Sequence, residues 1–178
     1  MASVRIVVDH IKLEYSGIFD TKALFKLIGS WFMERSIQKK ESKNFEQNLP
    51  DGKYIEYEIA YWKKTTDYVR SIYKIRALFY GLKKVQVVKD KKKVQMDQGK
   101  VILYFDGYIE HDYENRWEMK PMLQFFRVMF DIFVYKYYTE RFEQRITYDI
   151  HALYDTLEQF FNMYRHYRVV SKVPHFMH

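Results

Sequence analysis

Between Pro121 and Pro174 the chain has no glycine and no proline, and nearly every third or fourth residue is Phe, Tyr, Leu, Ile or Met. Such a stretch has no residue that breaks a helix and an apolar stripe that must be buried. It predicts a long C-terminal helix, or two end to end, over residues 121–168. Pro121 suits the first helical position. Met122, Phe125, Phe126, Met129, Phe130 and Phe133 form one stripe. Ile146, Ile150, Leu153, Leu157, Phe160, Tyr164 and Tyr167 then recur at alternating steps of four and three, a heptad-like seam. That seam can pack on its own domain or pair with a second copy, and a bend near Tyr138 to Phe142 is left open. The apolar run Met122 to Tyr138 contains Gln124, Arg127, Asp131 and Lys136, which argues against an integral membrane protein.

The rest of the chain reads as strands. Val4, Ile6 and Val8 alternate, and Ile11, Leu13 and Tyr15 alternate in the opposite phase. A first strand over 3–15 with a β-bulge near Asp9-His10 follows, ended by Ser16-Gly17. Asp20 is a helix N-cap, and Leu24, Leu27, Ile28, Trp31 and Phe32 mark an amphipathic helix over 20–38. An antiparallel meander is expected over 44–113. Its weak first strand reaches Leu49, the turn is Pro50-Asp51-Gly52, and strands cover Lys53–Trp62 and Tyr68–Phe79. A second turn falls at Tyr80-Gly81, short strands flank a lysine-rich tip, and a last strand follows Gln98-Gly99. The expectation is one α+β domain over residues 1–170 and a flexible tail over 171–178. Its antiparallel sheet has about six to seven strands, with one N-terminal helix and a long C-terminal helix.

One strand, one helix, a meander and a long last helix is an element order that resembles the helix-grip fold, also called START or Bet v 1-like. The resemblance covers Val4 to about Tyr138 and rests on element order, without a signature motif. It implies a curved sheet around the last helix, a cavity between them, and a carrier or partner-binding module.

Few residues suggest chemistry. Cysteine is absent, which removes disulfides, thiol catalysis and cysteine-ligated metal centres. It is compatible with a cytoplasmic setting. No signal peptide is recognised at Met1–Ile6. The histidines His10, His111, His151, His166, His175 and His178 show no metal-ligating helical spacing. No nucleotide-binding or hydrolase motif occurs. The expectation is therefore no cofactor, no metal and no assigned catalytic residue, with an enzyme left open and ranked behind the binding readings. Asp106, Glu110, Asp112 and Glu114 would share one face of a continuing strand, as a solvated face paired with lysines or, less simply, a cation site.

Three binding surfaces remain. Tyr57, Tyr73, Tyr104, Phe126 and Phe130 are the candidates for a small apolar or amphipathic ligand, or for a protein partner. Lys83, Lys84, Lys89, Lys91, Lys92 and Lys93 carry, with Asp90, a net +5 of the chain's +7, and suit a polyanion gripped without sequence preference, whether nucleic acid or anionic membrane. Ile146, Ile150, Leu153, Leu157 and Phe160 would serve self-association. The first is the leading expectation; the others are its alternatives.

Overall fold

The computed structural model describes residues 3–66, 69–89, 92–111 and 136–166. Their order is β1 (Ser3–Phe19), α1 (Thr21–Glu34), β2 (Gln38–Leu49), β3 (Gly52–Lys64), β4 (Val69–Lys89), β5 (Lys92–His111) and α2 (Lys136–Tyr164). The protein is α+β. The five described strands form one antiparallel sheet in the order β1-β5-β4-β3-β2. The meander runs outward from β5 to β2, while β1 sits beside the last strand and forms the opposite edge. No helix among the described residues is long and apolar enough to cross a membrane.

The bulge expected in β1 is present. Ile6 pairs with Tyr108, Val8 with Gly107 and Ile11 with Phe105, so the register shifts twice. His10 takes a left-handed φ of 51°, and its N–H leaves the ladder to donate to Asp106 Oδ1 at 2.8 Å. β1 does not end at Ser16-Gly17. It runs on to Phe19 because Gly17 pairs with Gly99. Tyr15 folds over Gly17, where a Cβ would lie 2.8 Å from its hydroxyl, and that hydroxyl donates to the Ile18 carbonyl.

α1 starts as its sequence requires. Asp20 accepts from the N–H groups of Lys22 and Ala23 at 2.9 and 3.1 Å, and Leu24, Ile28, Trp31 and Phe32 are buried. The helix stops at Glu34, short of Gln38, because Ser36 turns left-handed (φ 55°). The polar run Lys39 to Lys43, which falls between the expected helix and the expected meander, belongs to β2. β2 is an edge strand bonded only to β3, so its outward residues have no apolar pattern to maintain.

The strand segments expected on either side of Tyr80-Gly81 and Gln98-Gly99 are continuous in β4 and β5. The two glycines bend these strands rather than end them. Gly81 has φ 61° and sits at a register shift between Tyr80 and Lys83. A Cβ on Gly52 would fall 2.7 Å from the Gly81 carbonyl carbon, and one on Gly99 would fall 2.9 Å from the Tyr80 oxygen. Three backbones therefore meet where only glycine fits.

α2 crosses the inner face of the sheet. Ile146, Ile150, Leu153, Leu157 and Phe160 are all buried there, in one core with Phe19, Phe79, Leu103, Phe105 and Ile109. These five residues of the seam are thus packed on the protein's own sheet. Gly107 permits the close approach, since a Cβ there would lie 2.6 Å from Ile146 Cγ2 and 2.7 Å from Ile150 Cδ1. The helix is continuous through Tyr138 to Phe142 and ends at Tyr164. The stripe before Lys136, Tyr167 and the tail 171–178 lie outside the described residues.

Candidate functional site

The tyrosines chosen for a ligand do not converge. Tyr57 and Tyr73 face the core, but both are engaged in it. The Tyr57 ring packs edge-on against Phe25 at 4.8 Å. Tyr73 is buried, and its hydroxyl donates to Asp149 Oδ2 at 2.8 Å. Phe32 of α1 packs beside Tyr73, with ring centroids 5.7 Å apart, and stacks on Tyr61 at 3.9 Å. Tyr104 lies on the other face of the sheet, 5.3 Å from the Arg76 guanidinium. Its phase is inverted relative to Leu103 and Phe105, which are the inward residues of β5. Phe126 and Phe130 lie outside the described residues. An open cleft of about 520 Å³ does exist between β1 and α2, but its lining includes Glu140, Glu143, Thr147 and His151, a poor match for an apolar ligand.

Burial pushes the Tyr73 hydroxyl well above the usual phenol range, and the adjacent Asp149 carboxylate adds to the shift. The folded state therefore holds this proton more tightly than the unfolded chain. The stability it lends is complete below the unfolded phenol pKa of about 10 and is lost as pH rises beyond it. The unfolding free energy from urea titration should fall steeply above about pH 10, by up to about 1.4 kcal/mol per pH unit for this group. Tyr73→Phe should cost about 1–2 kcal/mol at neutral pH by stranding Asp149, and should flatten the alkaline fall. An unchanged alkaline slope in Tyr73→Phe would refute this assignment.

The acidic stretch of β5 is divided among separate partners. Glu110 accepts from Arg70 Nε at 2.9 Å. Asp106 is buried and meets Asp9 and His10 of the β1 bulge, with one ligand atom from each of the three within 4.8 Å of the others. Sequence spacing did not reveal that triad, because Asp106 lies 96 residues from His10. Its polar atoms already bond to one another: Asp106 to the His10 N–H, and Asp9 to His10 Nδ1. The triad staples the bulge. Asp112 and Glu114 lie outside the described residues.

The lysine hairpin stands apart from the rest of the sheet. β3 accompanies β4 only as far as Leu82, and β1 accompanies β5 only as far as Asp97. Past those points β4 and β5 pair only with each other, from Val85↔Met96 to Lys89↔Lys92. A two-stranded ribbon alone is marginally stable. This one is anchored on one side by Val87 and Met96, which are buried with Ile18 and flanked by the half-buried Val85 and Tyr164. Its foot holds a second anchor that sequence reading missed. Asp97, 2 % exposed, meets Lys84 Nζ at 2.5 Å and accepts from the Thr21 N–H at the start of α1 at 3.3 Å. Lys84 is thus tied to the fold. Lys83 and Lys93 are exposed. Lys91 lies outside the described residues, and for Lys89 and Lys92 only the backbone is described.

The outer face of the sheet, continuous with the ribbon, is polar and aromatic. Lys12 and Lys100 flank Glu14 and hold its carboxyl down to about 2. Lys74 pairs with Glu58 at 3.1 Å. At the foot of the ribbon, Phe45, Tyr54 and Tyr80 make a row across β2, β3 and β4, with ring centroids 6.3 and 5.2 Å apart. Comparison with known proteins gives no relative to draw on: no protein-family model, no curated protein and no solved structure matches this chain.

Proposed function

We propose that this chain is a non-enzymatic polyanion-binding protein that grips phosphate-bearing ligands with its projecting β-ribbon. The observation that carries the reading is the ribbon's own register. Lys89 and Lys92 occupy paired positions at the tip of a hairpin that no third strand supports. Lys91 and Lys93 adjoin them in the chain. Like charges placed opposite one another disfavour pairing, so this arrangement costs stability that an anion would restore. Lysine acts as a point charge, which suits sequence-independent attachment to phosphates.

The architecture fits the same reading. The sheet order β1-β5-β4-β3-β2 with α2 across the inner face is compatible with a helix-grip arrangement, and we read it as one whose described interior is packed with aromatic rings. Binding is then a property of the ribbon and the outer face.

Heparin, an oligonucleotide and anionic lipid vesicles, each titrated from about 50 to 200 mM salt, test the proposal. Four lysine contacts predict a slope of about −3 in log affinity against log salt for a single strand, an affinity loss of about 50-fold over that range. A flat salt response would sink the reading.

A further inference from the structure

We propose that the aromatic row Phe45–Tyr54–Tyr80 receives unstacked bases, so that the polyanion is a single-stranded nucleic acid. This rests on the ribbon reading and narrows its ligand.

The two ends of the row are exposed and Tyr54 between them is half-buried, although the protein has a large aromatic core. Phe45 is 55 % exposed and Tyr80 40 %. The same chain buries Phe19, Phe32, Phe79 and Phe105 almost completely, so the exposure of Phe45 sets it apart from the other described phenylalanines of the sheet. The three rings of the row stand side by side across three strands on one face. Exposed rings arrayed on a sheet are a surface on which successive bases stack, and they bind any base because every base has a π-face.

The charges around the row match a phosphate backbone. Tyr80 immediately precedes the Gly81 bend, and Lys83 follows two residues later at the start of the ribbon. Lys100, the ladder partner of Tyr80, is itself ion-paired with Glu14, which leaves Lys83 as the exposed cation beside the row. The acidic neighbours are already engaged: Glu46 is ion-paired with Lys53, which holds its carboxyl below the usual range, and Glu56 accepts from the Tyr54 hydroxyl at 3.4 Å. A strand whose phosphates follow the ribbon lysines would bring its bases onto the row. A duplex keeps its base faces stacked inside and offers the row nothing.

The test compares three fluorescein-labelled probes of equal phosphate count by anisotropy at fixed salt: a mixed-sequence single strand, an abasic strand, and a duplex. Wild type should bind the single strand at least about fivefold more tightly than the abasic strand. Phe45→Ala and Tyr80→Leu should each remove about fivefold or more of that affinity and leave abasic binding unchanged. Both positions are exposed, and thermal melts confirm folding; Phe45→Leu is the fallback if Phe45→Ala melts early. Equal affinity for single and abasic strands, with salt dependence intact, would overturn the base-stacking inference and leave the ribbon reading standing. So would preference for the duplex. Failure of all three probes to bind would overturn both.

Discussion

Leu153→Asp should unfold this protein rather than divide an oligomer. Leu153 is 1 % exposed, in the middle of α2, inside the cluster that joins the helix to the sheet. Removing its side chain alone would cost about 2–5 kcal/mol. Placing an unpaired carboxylate there adds a desolvation cost of several kcal/mol. A domain of this size has about 5–15 kcal/mol in total, so most of the population should be unfolded at neutral pH. Circular dichroism should show lost structure, and urea titration should show no native baseline. Tyr148→Asp is the contrast. It lies on the same helix but is 72 % exposed, and should change stability by no more than about 0.5 kcal/mol. A folded, monomeric Leu153→Asp protein would mean that the seam faces outward and that α2 is misplaced.

Heptad spacing alone could not decide between those outcomes, because a coiled-coil seam and a helix packed on its own sheet need the same apolar stripe. Gly107 shows what this side of α2 packs against, and it does so only in three dimensions. In sequence it looks like a weak point in a strand, whereas in the fold it is the groove that admits Ile146 and Ile150. Gly81 and Gly99 behave in the same way. Each looks like a turn, and each instead sits inside a long strand at a bend where backbones crowd.

Local signals were the most legible. The Asp20 cap, the β1 bulge and the Pro50-Asp51-Gly52 turn depend on neighbouring residues and on side-chain period, and all three stand where the pattern puts them. The α+β class with a C-terminal helix follows from element order and is equally plain. What could not be read is what depends on distant pairing. β2 lacked an alternating pattern because an edge strand does not require one. Tyr104 alternates correctly along β5, but only the buried Leu103 and Phe105 reveal which phase points inward. The Asp97–Lys84 pair joins the ribbon to α1, a link between residues with no shared local motif.

That pair divides the lysines into two classes and sets up the sharper test of function. Changing Lys89, Lys91, Lys92 and Lys93 together to Gln should leave the fold intact and abolish most polyanion binding. The salt slope should fall from about −3 toward zero, since each lost phosphate contact removes about 0.7 from it. Affinity at low salt should drop by two orders of magnitude or more. Stability should rise slightly, by about 0.2–1 kcal/mol, as like charges at the paired tip positions are removed. Lys84→Gln should behave in the opposite way. It leaves the buried Asp97 without its cation and should destabilise by about 1–3 kcal/mol, with only the modest affinity loss of a single charge. The sign of the stability change is what separates the two explanations of the ribbon. Lysines kept only to hold or protect the hairpin would make the fourfold variant less stable or prone to edge-to-edge association, with binding unaltered. Lysines kept for an anion give a more stable protein that no longer binds.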